Sequence, residues 1–234
     1  MNPRIETVAV DCLMLRLFDS IEESNMPWLL AAAAGLRERF GACLVDLVPS
    51  YTTLMVHYDL LALSPFQARE RIETVLQGLA PNAVGQGVRH VLPVWYDRSV
   101  GPELAGLAQR SGLSQSAVIE RHSGRDYQVF ALGFAPGFAF MGLVDEVLAT
   151  PRLNTPRQRV TAGSVGIAER QTSAYPAVSP GGWNLIGRTP AQLFDRQREG
   201  YSLLQPGDTV RFEAIDHAEF VRLGGDDSPL EARP

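Results

Sequence analysis

The residues able to do chemistry concentrate between positions 133 and 195. Arg152 follows Thr150-Pro151, Arg157 follows Thr155-Pro156, and Arg188 stands in Gly187-Arg188-Thr189-Pro190. Around them lie Gly133-Phe134-Ala135-Pro136-Gly137-Phe138, Gln171-Thr172, Tyr175-Pro176 and Ser179-Pro180-Gly181-Gly182-Trp183-Asn184. Prolines beside polar groups reduce loop entropy, so those groups can be held in one arrangement. A guanidinium is a planar fork matched to carboxylate or phosphate. The pattern predicts a groove for a small anionic or amide-bearing ligand. Arg152, Arg157 and Arg188 are the expected anion-binding groups, and Gln171, Tyr175 and Trp183 the expected walls. Gly133, Pro136, Gly137, Gly163, Ser164, Gly181 and Gly182 would shape the groove backbone and its turns. The bland reading of the same series is a set of turns closing a small barrel.

Other catalytic constellations are incomplete. His57, His90, His122 and His217 are never within five residues of one another, so no helix-borne metal pair exists. His57 and His90 fall in strand-like runs, where a structural or surface role is expected. His122 ends a helical run, where the helix dipole favours a cation. Cys12 and Cys43 form no CxxC or CxxH and sit in apolar alternating runs, so buried free thiols are expected and no metal site. Ala162-Gly163-Ser164-Val165-Gly166 is one substitution from a G-x-S-x-G nucleophile elbow, but no helix follows, so a tight turn is expected. Gly85-Gln86-Gly87 lacks the third glycine and the helix of a dinucleotide fingerprint. All 21 basic residues are arginine. Without lysine the chain holds no Schiff-base amine, no Walker A lysine and no biotin attachment point. No nucleophile or general base stands out, so the catalytic residues are not assigned.

The elements that must position these groups follow from periodicity. Val8, Val10, Cys12 and Met14 alternate over 7–17 as a strand, and Trp28, Ala32, Leu36 and Phe40 give a helix over 23–40 stopped by Gly41. Runs at 43–48 and 52–58 flank Pro49-Ser50 as a hairpin, and Ser64-Pro65-Phe66-Gln67 is a capping box opening a helix stopped near Pro81. With a strand at 88–96 the order is β-α-β-β-α-β, which matches a ferredoxin-like unit, although that last strand fits either domain. Two short helices follow, one over 102–110 and one capped by Ser114. Eight glycines and six prolines between Gly133 and Pro190 then exclude long helices and favour a barrel or sandwich. Gln205-Pro206-Gly207-Asp208 reads as a turn between two strands. The expected class is α+β, with domains at 1–88 and 89–225 and a frayed tail at 226–234.

Composition bounds the partners. Of the 234 residues, 45% are hydrophobic and 20% charged, a globular balance, and 26 acids against 21 bases leave no basic footprint for nucleic acid. The longest apolar stretch, Trp28 to Leu36, is too short to span a bilayer, and the first residues show no signal-peptide core. A soluble, cytoplasmic protein is expected.

The glycine- and proline-rich motifs closely resemble the family that groups KipI, the B component of 5-oxoprolinase and the first component of allophanate hydrolase. The likeness rests on Gly133–Phe138, Ala149-Thr150-Pro151-Arg152-Leu153, Thr155-Pro156-Arg157, Ala162–Ala168, Ser179–Trp183 and Ile186–Pro190, with Val48-Pro49-Ser50-Tyr51 and Val56-His57-Tyr58-Asp59 nearer the start. It implies a small N-terminal α/β domain and a C-terminal cyclophilin-like β-barrel, similar to two subdomains of a biotin-dependent carboxyltransferase. It further implies work beside companion C and A subunits that together hydrolyse the lactam 5-oxo-L-proline to L-glutamate using ATP, the nucleotide being shared with or supplied by a partner. One branch of the family instead inhibits a sporulation histidine kinase, which would use the groove to grip a proline-containing segment. A urea- or allophanate-degrading component is the third reading, disfavoured because no biotinyl or amidase segment is fused to this chain. Ala139-Phe140-Met141, Glu169 and Arg170 depart from the residues common in the family, whereas Gln171 and Tyr175 are kept.

Overall fold

The alternation over 7–17 folds into two strands rather than one. In the computed structural model, which describes residues 3–81 and 87–230, β1 (Arg4–Ala9) and β2 (Cys12–Arg16) pair antiparallel, with Ala9 facing Cys12 across the turn at Val10-Asp11. The buried set is Leu13, Leu15 and Leu17, while Val8 and Val10 are 57% and 70% exposed. Two interleaved apolar series run through this segment, and the turn decides which one faces the core. Cys12 and Cys43 are accordingly half-buried free thiols rather than core residues.

A short 3-10 turn leads into α1 (Met26–Phe40), which buries Leu29, Ala32, Ala33, Leu36 and Phe40 at helical spacing. β3 (Leu44–Ser50) and β4 (Thr53–Tyr58) make the expected hairpin. α2 (Pro65–Gln77) opens with the expected capping box: Gln67 N donates to Ser64 Oγ at 3.3 Å, and Ser64 N donates to Gln67 Oε1 at 2.9 Å. Their sheet is antiparallel in the order β1-β2-β4-β3.

The chain divides into units Met1–Gln86 and Gly87–Pro234. β5 (Arg89–Trp95) belongs to the second, where it lies parallel to β13 (Thr209–Ile215) in full register. The first unit therefore reads ββαββα, and the ferredoxin-like β-α-β-β-α-β order is corrected. The reason is non-local: the partner of β5 comes some 120 residues later, beyond the reach of sequence periodicity.

In the second unit, α3 (Leu104–Ser111) and α4 (Gln115–Ser123) precede β6 (Asp126–Leu132) and β7 (Ala139–Gly142). Then come β8 (Arg157–Val160), β9 (Ser164–Ala168), β10 (Gln171–Ala174), β11 (Ser179–Gly181) and β12 (Asn184–Arg188). After β13 stands α5 (His217–Arg222). Seven strands close a barrel in the order β10-β7-β6-β13-β5-β12-β9, with β9 completing the ring against β10, while β8 and β11 form a separate pair. Every residue of β9 and β12 is buried. Residues 205–208 lead into one strand only, β13. They are tied down by Asp208, whose carboxylate accepts from Gln205 N and Val88 N, each at 2.8 Å. The described part of the tail is held too, Leu230 N donating to Ser99 O at 2.9 Å. Gly85-Gln86 and the last four tail positions lie outside the described residues. No helix among the described residues is long and apolar enough to cross a membrane.

Candidate functional site

The loop between β6 and β7 builds one wall of a cleft. Gly133 N donates to Phe138 O and Phe138 N to Ala135 O, so the loop folds back on itself and drives Phe138 inward. Phe138 is 1% exposed and Phe134, at the loop tip, 62%. Phe138 sits edge-on to Phe134, Phe140, Tyr175 and Trp183, with ring centroids 4.9–5.6 Å apart. Such edge-to-face packing suits aromatic quadrupoles and makes the wall rigid.

The rest of the lining comes from Tyr175, the segment before β8 and the end of β11 with the turn after it. Leu153 N donates to Gly182 O at 2.7 Å, joining the Pro151–Pro156 segment to the Gly181-Gly182 turn. Tyr175 is buried, its hydroxyl accepting from the Trp183 backbone N–H, and burial pushes its pKa up to about 12. It is therefore a neutral wall at physiological pH, not a base. Gly181 lies so close that a Cβ there would stand 2.3 Å from the Tyr175 hydroxyl, so only glycine fits. The open cavity between these residues is about 250 Å³. Phe134, Phe138, Phe140, Leu153, Pro156, Tyr175 and Trp183 line it, and among the described residues Arg152 is its one charged lining residue. Arg152 is exposed, and among the described residues its guanidinium has no hydrogen bond or ion pair.

Four expected residues thus meet around the cleft with Arg152: Tyr175, Trp183, Gly181 and Gly182. The other two arginines do not line this cleft. Arg157 is buried, and its Nη2 donates to Glu103 Oε1 at 2.6 Å, while Glu103 Oε2 accepts from Leu185 N at 3.0 Å. Arg188 is 1% exposed, and its Nη1 donates to Asp226 O at 2.5 Å and Ser228 O at 2.8 Å. Gln171 is half-buried on β10, paired with Ala168 and Gly142, and does not line the cleft. Ser164 begins β9, fully buried opposite Arg188, and is followed by strand rather than helix, which excludes the nucleophile elbow. Gly163 before it has φ of +79°, and a Cβ there would meet Thr189 O at 2.3 Å. Gly133, Pro136 and Gly137 shape the aromatic loop without lining the cavity. The lining residues missed in the sequence are Phe134, Phe138, Phe140, Leu153 and Pro156, and only the phenylalanines carried a signal, their clustering around the glycine-proline loop.

The histidines stand apart from this cleft. His90 Nε2 lies 3.1 Å from Asp208 and His217 Nε2 2.9 Å from Asp227. His122 is fully buried, contrary to the expected cation at a helix end. Thr172 Oγ1 gives its proton to Gly166 O, so it accepts from His122 Nε2 at 2.8 Å, and Nδ1 accepts from the Tyr96 hydroxyl at 2.7 Å. Burial pushes the His122 pKa down to about 3, and the ring stays neutral. For ATP the cleft is a poor match. A triphosphate calls for a cradle of backbone N–H groups or several cations, and this cavity offers one guanidinium among apolar walls.

Comparison with known proteins bears on this geometry. Residues 3–204 match the carboxyltransferase domain, subdomain C and D. The chain is 36% identical over 227 residues to a Bacillus subtilis (strain 168) protein named as the B component of 5-oxoprolinase, covering 93% of this chain and 95% of that one. Among solved structures it is similar to TTHA0988, at 38% identity and a TM-score of 0.77, covering 88% of this chain and 40% of that one. It thus spans about two fifths of the TTHA0988 chain. Kluyveromyces lactis urea carboxylase shares the fold, with a TM-score of 0.74 at 14% identity, over 96% of this chain and 23% of that one.

Proposed function

The chain belongs to the family of carboxyltransferase subdomains C and D, and from that premise we propose that it is the B component of an ATP-dependent 5-oxoprolinase. In this reading it binds 5-oxo-L-proline in a cytoplasmic complex with companion A and C subunits, and the complex opens the lactam to L-glutamate. One observation carries the reading: Arg152, without a hydrogen bond or ion pair among the described residues, stands at an aromatic cavity of about 250 Å³. The substrate is a five-membered ring bearing one carboxylate. The ring suits the Phe138 and Trp183 walls, and the carboxylate suits the free guanidinium fork. A lactam carbonyl is a poor electrophile, and phosphorylation of its oxygen by ATP prepares it for attack by water. This chain has no lysine, no assigned base and no triphosphate cradle in its cleft, so that step falls to the companions.

Titration of the purified chain with 5-oxo-L-proline, followed by ligand-observed NMR, tests the reading. Saturable binding is expected, weakened by roughly 10- to 150-fold in Arg152→Ala, the scale of a lost charge-assisted pair. Binding that is absent in the wild type, or unchanged in the variant, removes the substrate from this cleft. The closed barrel, used as a cyclophilin-like barrel would be, presents the same aromatic walls to a proline-containing peptide of a kinase. A peptide that binds where 5-oxoproline does not would favour that inhibitor reading.

A further inference from the structure

Three side chains that the proposed function does not use converge in the N-terminal unit. Cys12, the first residue of β2, stands directly opposite His57 of β4 in the antiparallel register. Asp11 precedes it in the turn between β1 and β2, and its Oδ2 lies 3.2 Å from His57 Nε2. The Asp11 carboxylate also accepts from the Cys12 thiol. One ligand atom from each of Asp11, Cys12 and His57 lies within 4.8 Å of the other two. Leu13, Leu15, Leu54 and Val56 fill the core face of these strands, so Cys12 and His57, which alternate with them, stand on the opposite face.

We propose that Asp11, Cys12 and His57 form a binding site for a zinc-type divalent cation. The donor set is a thiol, an imidazole nitrogen and a carboxylate, the ligands such an ion prefers. A tetrahedral ion with bonds of about 2.0–2.3 Å sets its ligand atoms roughly 3.3–3.8 Å apart. The Asp11–His57 separation is already close to that, and side-chain rotation brings in the sulfur. The frame is fixed independently of any ion: Tyr58 N donates to Asp11 O at 3.0 Å, and the Tyr58 hydroxyl donates to Val10 O at 2.8 Å, pinning the turn that carries Asp11. All three ligands are half-buried, which leaves the fourth position to water. Binding replaces the thiol proton, which passes to solvent, and turns the Asp11–Cys12 hydrogen bond into two bonds to one cation. The site is independent of the aromatic cleft and of the reaction assigned to it.

Titration of the full chain with Co²⁺, a coloured stand-in for Zn²⁺, tests the site. One equivalent is expected to raise a near-ultraviolet sulfur-to-cobalt band that Zn²⁺ then abolishes. The band should vanish in Cys12→Ser and survive in Cys43→Ser. His57→Gln and Asp11→Asn, checked for folding by circular dichroism, should each weaken binding at least ten-fold. No band, a band that survives Cys12→Ser, a stoichiometry other than one, or unchanged affinity in His57→Gln would overturn the proposal.

Discussion

Arginines that look alike in sequence have different owners in the fold. Arg152, Arg157 and Arg188 all stand beside proline or glycine, yet of the three only Arg152 lines the cavity, with no hydrogen bond or ion pair among the described residues. The acceptors of the other two come from 54 and 38 residues away, and no local pattern encodes them. Arg188→Ala should therefore cost stability rather than affinity. Removing a buried guanidinium from two carbonyls is expected to cost about 1.5–3 kcal/mol by urea denaturation, with 5-oxoproline affinity unchanged in the folded fraction. A large loss of affinity at unchanged stability would return Arg188 to the ligand-binding groups. His122 gives a prediction in pH. Its pKa is about 3 when folded against an ordinary 6.5, so the unfolded chain binds more protons between those values. Stability is full above pH 6.5 and falls as the pH drops towards 3, by up to about 1.4 kcal/mol per pH unit. Urea midpoints of the wild type and His122→Gln between pH 4.5 and 6.5, above the main carboxylate range, should show the flatter slope in the variant. Equal slopes would place the acid sensitivity elsewhere.

At the scale of elements, legibility tracks the range of the interaction. The Ser64 capping box, α1 and the β3–β4 hairpin are local, and the sequence reading of each agrees with the structure. The split of the first strand rests on the Val10-Asp11 turn, which carries no glycine or proline to mark it, and the parallel β5–β13 pairing on a strand far along the chain. The first is local but unsignalled, and the second lies outside any window of ten residues. The cleft lies between these cases: its glycines were visible as turns, but not that Gly181 is pressed against Tyr175. Gly181→Ala should force the Tyr175 ring to move and so open the cavity wall. The variant is expected to fold with a lower Tm and to lose at least ten-fold in 5-oxoproline affinity, measured by the same NMR titration. Unimpaired binding would show that this wall does not touch the ligand.

For the whole molecule, each of the two units buries apolar residues of its own, and we propose that the second folds alone. The cut matters, because β5 sits between β12 and β13 in the closed ring. A fragment of residues 87–230 should give a cooperative β-rich melt by circular dichroism, whereas 98–225 lacks a barrel strand and should not. A cooperative melt from the shorter fragment would contradict the closure. The division of labour between this chain and its companions is the central claim, with Arg152 holding the substrate carboxylate and the companions supplying the ATP chemistry. Glutamate release by the complex reconstituted from all its components measures it most directly, comparing wild type with Arg152→Ala. The account predicts that this chain alone releases none, and that in the complex the variant raises KM for 5-oxoproline by roughly 10- to 150-fold while kcat and Tm stay near wild type. Release by the single chain, or an unchanged KM in the variant complex, would contradict it.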